Sequence, residues 1–212
     1  MKTITGVIYI NTEIKNVILA SQSKPRQRIL QMLGIEAELL PTDADESFDE
    51  GLTPGEIVMH ISRSKAERAA EIVQPPPTTL IIAADTMVVY NNLVIGKPYD
   101  EADAFNTLTM LSGNIHEVYS GLTFVFDDKI VSDYGVTRVK FRDLCREEIQ
   151  AYINSGEPFT KAGSYGAESA AASFVESIEG DFFNIVGLPV NKFAQMLKNI
   201  FGKTVFDIKK HT

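Results

Sequence analysis

Leu80-Ile81-Ile82-Ala83-Ala84-Asp85-Thr86-Met87-Val88-Val89 reads as a buried strand interrupted by one carboxylate. A carboxylate in such a run is costly unless something pairs with it or coordinates it. About ten residues on, Ile95-Gly96-Lys97-Pro98 brings back a cation after a short turn. Upstream, Ser21-Gln22-Ser23-Lys24-Pro25-Arg26-Gln27-Arg28 opens a helix. Lys65 follows Ile61 by four residues and precedes Ile72 by seven, which places it on the apolar face of another helix. One carboxylate, several cations and a helix start suggest a metal-assisted site for a phosphorylated substrate.

The flanking sequence sets that strand in an α/β frame. Val17-Ile18-Leu19-Ala20 is a short strand candidate. Ser23 can cap the next helix, with Pro25 in its first turn and Gly34 closing it. Pro41 to Gly51 is an acidic loop. Thr53-Pro54-Gly55-Glu56 is a capping box opening a helix that runs to about Val73, before Pro75-Pro76-Pro77. Asn91-Asn92 marks a turn, and Asp100 caps a helix ended by Gly113. Val118–Phe126 and Ile130–Phe141 read as long strands, and Glu147–Ser155 as a helix. Ser173–Ile178 and Phe182–Val186 read as a hairpin turning at Glu179-Gly180-Asp181, and a last helix starts near Pro189. Strands and helices in this order predict an α/β domain with a mixed sheet.

Composition bounds the function. The 212 residues are 44% hydrophobic, enough for a sizeable core. Twenty basic against 28 acidic residues give a net charge of −8, which argues against broad, salt-driven binding of a nucleic-acid polymer. A local cluster of Lys and Arg can still hold a small anion. Cys145 is the only cysteine, so no intrachain disulfide or cysteine-based zinc site can form. The apolar residues at the N-terminus are broken by Glu13 and Lys15, and no run reaches membrane-spanning length. A soluble cytoplasmic protein is the expectation.

Each candidate residue carries two readings. Ser21, Ser23, Lys24, Arg26 and Arg28 at a helix start make a phosphate cradle or a solvated helix end. Lys65 either points into a cleft or packs its stem while its ammonium reaches water. Asp85 could hold a divalent cation or take a proton from an attacking water, and is otherwise a strand-end turn residue. Glu46 could add an oxygen ligand for Mg²⁺ or Mn²⁺, or is one acid of a solvated loop. Lys97 is biased to extended backbone by Pro98. His116 reads as structural. In Lys161-Ala162-Gly163-Ser164-Tyr165-Gly166, the glycines allow close approach to a ligand or simply form a loop.

Taken together, these segments resemble the Maf family of nucleotide pyrophosphatases, also called septum-formation proteins. The likeness rests on Leu19-Ala20-Ser21-Gln22-Ser23 with Arg26, Ser64-Lys65-Ala66, and Ala84-Asp85-Thr86 through Gly96-Lys97-Pro98. It continues through Leu111-Ser112-Gly113 with His116 and Gly121, Lys161 to Gly166, and Val186-Gly187-Leu188-Pro189. The order is preserved from about residue 17 to 200. The resemblance implies a single domain over residues 1–212 with an inosine-triphosphatase-like fold. In that fold a mixed twisted sheet is flanked by helices, and two lobes enclose a central cleft. It implies metal-dependent hydrolysis of a nucleoside triphosphate to the monophosphate and pyrophosphate. It implies Asp85 as catalytic proton acceptor, and Ser21, Arg26, Lys65 and Lys97 on the phosphate side. Ser23, Lys24 and Gly163 are further substrate-binding candidates, and Glu46 joins Asp85 as the metal position.

Three positions depart from the family pattern: Pro25 where an arginine is usual, Thr160 where an aspartate is usual, and Ala167-Glu168-Ser169 where Ile-Gln-Gly is usual. Pro25, Thr86 and Glu168 match positions associated with base preference. The resemblance favours dTTP, UTP or modified pyrimidine nucleotides. Alternatives are 7-methylguanosine triphosphate, a deaminated purine triphosphate such as inosine triphosphate, or a non-catalytic nucleotide-binding regulator of cell division. It also implies a homodimer.

Overall fold

The computed structural model describes residues 13–49 and 51–208. The stretch around Asp85 is the middle of β3 (Thr79–Tyr90), the central member of a seven-stranded mixed sheet. β1 (Asn16–Leu19) runs parallel to β3 and to the short β2 (Glu38–Leu39). β4 (Leu93–Ile95), β5 (Ile115–Phe126), β6 (Lys129–Phe141) and β7 (Val175–Glu179) are antiparallel to their neighbours. The path is β2-β1-β3-β5-β6-β7, with β4 beside β3.

Local signals explain most elements. Ser23 caps α1 (Lys24–Met32), its hydroxyl accepting from Arg26 N, and Gly34 follows at φ +75°. The Thr53–Glu56 capping box is formed at the start of α2 (Pro54–Val73). Asn91 and Asn92 both have positive φ, the geometry a tight two-residue turn between β3 and β4 requires. Asp100 Oδ1 accepts from Asp103 N at 2.8 Å and caps α3 (Glu101–Leu111). α4 (Arg146–Asn154) follows β6, and α6 (Val190–Phe201) starts beside Pro189.

The expected hairpin after Ser173 is not formed. Its first half is β7, which pairs with β6 instead. Its second half is a short helix, α5 (Phe182–Val186). Asp181 Oδ1 accepts from Phe183 N at 2.9 Å to start it, and Gly187 at φ +116° ends it. A five-residue apolar run is too short for periodicity to separate strand from helix, so the cap decides. The helical face assigned to Lys65 is also narrower than expected. Ile61 and Ala69 are buried, but Ile72 is 47% exposed. Lys65 therefore stands at the border of the packed face.

Alternation along β3 divides the core. Ile81, Ala83, Met87 and Val89 pack on α2, against Ala66 and Ala69 at one end and Ile57, Val58 and Ile61 at the other. Leu80, Ile82 and Ala84 face α1 and α6 through Ile29, Leu30, Phe193 and Leu197. Val88 joins a further cluster under α3 and α4. Asp85 is thus on the α2 side and Thr86 on the other. On the β5 edge, β3 is paired from Leu80 to Val89. On the opposite edge β1 pairs only as far as Ile82, and β4 begins pairing at Val88. Between them, Ala83 to Met87 have no partner strand on this edge among the described residues. This gap admits a ligand to both faces of β3 at Asp85 and Thr86, and it is the cleft between the two lobes.

Gly121 lies opposite Asp85 on β5. A Cβ at Gly121 would overlap the backbone carbonyl of Val58. The missing side chain lets α2 lie close on the sheet and brings Lys65, two turns further along, over Asp85.

In the cluster under α3 and α4, His116 is buried against Phe141 and Tyr165, with Nε2 2.8 Å from Tyr165 Oη and its ring edge-on to Phe141 at 4.9 Å. Burial pulls its pKa down to about 4 from an ordinary 6.5. The native state therefore keeps His116 neutral, while the unfolded chain takes up a proton as pH falls below 6.5. Stability from this group is complete above pH 6.5 and declines toward pH 4, by about 3 kcal/mol. Urea unfolding of the wild type and of His116→Gln across this range should show a steeper decline in the wild type. Parallel curves would contradict this.

Candidate active site

The site begins where β1 ends. Ala20 N donates to Ile82 O at 2.8 Å, which carries β1 one residue further along β3. The chain then turns through Ser21 to Ser23 into α1. Ser21 is buried, and its Oγ accepts from Ser23 N and from Arg26 Nη1, both at 3.2 Å. Its own proton remains available to donate to an anion. α1 carries no acidic residue in its first turn, so its positive end is not offset there. Lys24 and Arg28 are exposed, with Lys24 on the cavity wall.

Arg26 is held on three sides. Nε donates to Gly187 O at 2.8 Å, Nη1 to Ser21 Oγ, and Nη2 to Thr86 Oγ1 at 3.1 Å. One N–H on each terminal nitrogen remains for a ligand. Burial lowers the Arg26 pKa, against the opposing charges of Asp85 and Glu46. The guanidinium starts a one-way chain of hydrogen bonds. Thr86 Oγ1 lies 2.8 Å from Ser120 Oγ, and Ser120 Oγ donates to Asn184 O at 2.8 Å. Each hydroxyl has one proton. Ser120 gives its proton to Asn184, so Thr86 donates to Ser120 and keeps a lone pair for Arg26. Asn184 is itself buried and fixed by Val118 O and Thr137 Oγ1. The arginine's direction is thus set from α5 and from across β3 and β5. Thr86, expected to bear on the base, is engaged in holding Arg26.

On the other face of β3, Lys65 Nζ lies 2.7 Å from Asp85 Oδ1 and 2.8 Å from Glu46 Oε1. The Lys65 and Asp85 side chains are 14% and 16% exposed, while that of Glu46 is 63% exposed. Asp85 Oδ2 has no protein partner among the described residues. The acidic loop carrying Glu46 is tied to α2 by Ser64 Oγ donating to Asp45 O at 3.0 Å and by Arg68 Nε on Asp43 at 3.1 Å. These ties explain why an exposed loop acid reaches a half-buried lysine. Lys97, exposed after β4, projects to the same cavity and forms no ion pair with a described residue.

These groups line one cavity of about 1050 Å³ that spans the cleft. Its wall carries Lys24, Arg26, Lys65, Lys97 and Lys161 against Glu46, Asp85 and Glu168. In a chain of net charge −8, this cationic excess favours a polyanion locally. Val88, Val118, Ala162, Tyr165 and Ile185 give the cavity an apolar section. Val88 is three residues beyond Asp85 on β3, about 10 Å along the strand. The cavity is therefore charged at one end and apolar at the other, as a phosphorylated molecule with a flat apolar group requires.

Most of the residues picked out in the sequence meet here: Ser21, Ser23, Lys24, Pro25, Arg26, Glu46, Lys65, Asp85, Thr86, Lys97 and Glu168 all line the cavity. Gly163 does not. It sits at φ +70°, its N–H donating to Gly96 O, and a Cβ there would lie 2.7 Å from Val88 Cγ2. Its close approach is to the Val88 side chain, which itself borders the cavity. Thr42, Thr160, Tyr165 and Gly187 border the cavity without having been singled out as site residues. Only the Gly187 carbonyl has a specific task, holding Arg26, and backbone acceptors leave no side-chain signal in a sequence.

Residues 16–200 match the family model described as Maf-like protein. A protein of Clostridium botulinum (strain 657 / Type Ba4) named dTTP/UTP pyrophosphatase is 43% identical over 189 residues, covering 87% of this chain and 96% of that one. A protein of the same name from Bacillus cereus (strain ATCC 10987 / NRS 248) is 40% identical over 185 residues, covering 87% and 90%. The solved Staphylococcus aureus Ham1 protein aligns over 61% of this chain and 73% of its own, with TM-score 0.43 and 13% identity.

Ser120→Ala removes the middle of the chain that holds Arg26 and leaves Thr86 Oγ1 and Asn184 O short of a partner in a buried place. Denaturant unfolding should show a loss of about 1–3 kcal/mol. An unchanged midpoint would mean that water replaces the hydroxyl at no cost.

Proposed function

From the premise that the chain belongs to the Maf family, we propose that its cleft hydrolyses a nucleoside triphosphate, dTTP or UTP by preference, to the monophosphate and pyrophosphate. The observation that carries this reading is the convergence of Lys65, Asp85 and Glu46 where β3 lacks a neighbour on its β1/β4 edge, beside the Arg26–Ser21 cradle. The two named relatives support the substrate class.

The mechanism follows from charge and position. The triphosphate lies against Ser21 Oγ, the two spare N–H groups of Arg26, and Lys97. These donors offset the negative oxygens around the reacting phosphorus and the charge that builds on departing pyrophosphate. Asp85 Oδ2, without a protein partner among the described residues, can hold a water and take its proton. Lys65 holds Oδ1 of the same carboxylate, which fixes the direction of Oδ2. Arg26 needs no rearrangement to act, because three acceptors already orient it.

The donor set fits a magnesium or manganese ion that arrives with the nucleotide. Glu46 Oε1 and Asp85 Oδ1 are both held by the Lys65 ammonium, and the second oxygen of each carboxylate, without a protein partner among the described residues, would be the one to meet the ion. Magnesium commonly takes one or two carboxylates and completes its shell with phosphate oxygens and water. No group of three or more His, Cys, Asp or Glu able to cage an ion occurs among the described residues. Such an ion would supply Lewis-acid stabilisation of the phosphate charge.

A guanine-type substrate is the second reading, favoured by Glu168, whose carboxylate alone offers only acceptors. No helix among the described residues is long and apolar enough to cross a membrane.

With dTTP or UTP and Mg²⁺ or Mn²⁺, the first products should be monophosphate and pyrophosphate. Orthophosphate and a diphosphate as first products would contradict the reading. Asp85→Asn keeps an oxygen acceptor for Lys65 but cannot take a proton. Its kcat should fall about 10²–10⁴-fold, with circular dichroism unchanged. A folded Asn variant with near-normal turnover would remove Asp85 from the proton-transfer role.

A further inference from the structure

The apolar end of the cavity carries one charged pair. Lys161 Nζ and Glu168 Oε1 are 2.5 Å apart, both side chains are 23% exposed, and both line the cavity. The loop is built to hold them together. A Cβ on Gly166 would lie 3.1 Å from Lys161 Cε, so the glycine leaves space for the lysine stem to cross the loop. Ser169 Oγ lies 2.7 Å from Gly166 O and beside Glu157 Oε1, and its single proton is shared between these two acceptors, which fixes the loop beyond Glu168. Tyr165, buried against His116, supports it from below.

We infer that Lys161 and Glu168 act as one base-reading unit, with the ammonium supplying a donor and the free carboxylate oxygen an acceptor. This inference rests on the proposed nucleotide-hydrolysing function of the same cavity. An isolated carboxylate has acceptors only. It would repel the two carbonyl oxygens that flank N3–H in thymine and uracil. With Lys161 beside it, a donor stands next to an acceptor, and the pair complements a carbonyl oxygen adjacent to an imide N–H. A single Gln amide offers that same combination. The pair therefore does with two charged side chains what one neutral amide could do, and a chain carrying Glu168 can still take a thymine or uracil nucleotide. Guanine depends less on Lys161, because its N1–H and amino group can satisfy a bare carboxylate with two donors.

The test is a pyrophosphate-release panel of dTTP, UTP, CTP and GTP on four proteins: wild type, Lys161→Met, Lys161→Gln and the double variant Lys161→Met/Glu168→Gln. Lys161→Met should lower kcat/KM for dTTP and UTP about 10- to 100-fold, mainly through KM, with a much smaller effect on GTP. Lys161→Gln, which keeps a donor, should fall in between. The double variant should recover dTTP and UTP, because the amide restores donor and acceptor together. A wild type that releases pyrophosphate from none of the four would overturn the functional reading itself. An active wild type whose dTTP-to-GTP ratio survives Lys161→Met would overturn only the base-reading unit. An equal loss for all four nucleotides, without rescue in the double variant, would do the same and assign Lys161 to the loop's structure.

Discussion

The ion pair between Lys65 and Asp85 is the constraint around which this molecule is arranged. A carboxylate in the middle of the central strand is tolerable only with a compensating charge. The compensation comes from a helix whose position depends on a missing side chain. Gly121 lets the Val58 turn of α2 press onto β5, and the same helix then carries Lys65 to Asp85. Removing one partner would leave a half-buried charge uncompensated, which typically costs a few kcal/mol. The pair is therefore structural and chemical at once. It ties α2 to the sheet and leaves Asp85 Oδ2 without a protein partner among the described residues.

The gap in the sheet is the second requirement. Had β1 continued along β3, Asp85 and Thr86 would have faced separate layers, sealed from each other. Because β1 turns away at Ser21 and β4 pairs only from Val88, the cleft reaches both faces. The faces are then given different tasks. On one, Asp85 with Lys65 and Glu46 is suited to water and metal. On the other, Thr86 serves Arg26 through a chain that runs into Ser120 and Asn184. The hydrogen bonds of that chain hold a part-buried arginine in one orientation.

The far end of the cavity follows a different logic. There the polar groups are few and sit over apolar side chains, an arrangement that favours recognition of a flat ring by a small number of directional contacts. The Lys161–Glu168 pair changes the meaning of a single residue. Read alone, Glu168 points to a base with adjacent donors; read with its partner, it accommodates a base that shows both a donor and an acceptor.

Much of this was legible in the chain itself. Capping residues marked α1, α2 and α3, the Asn91-Asn92 turn marked β4, and the interrupted apolar run marked β3 and its Asp85, because caps, turns and alternation act over a few residues and leave local signatures. Ordered motifs between residues 17 and 200 identified the family and most of the cavity wall. The α5 helix escaped, since five residues carry too little period and the cap at Asp181 was read as a turn. Gly163 fits either a ligand-facing turn or a plain loop in sequence, because a glycine's conformational freedom does not say which surface it approaches. Thr86 holding Arg26, the carbonyl of Gly187, Glu46 meeting Lys65, and Lys161 closing on Glu168 all depended on the tertiary structure. Three of these join distant segments through single hydrogen bonds or ion pairs, and the fourth depends on how a loop folds back over Gly166. The identity of a residue fixes what it can donate or accept, but only the packed chain determines which partner stands within 3 Å of it.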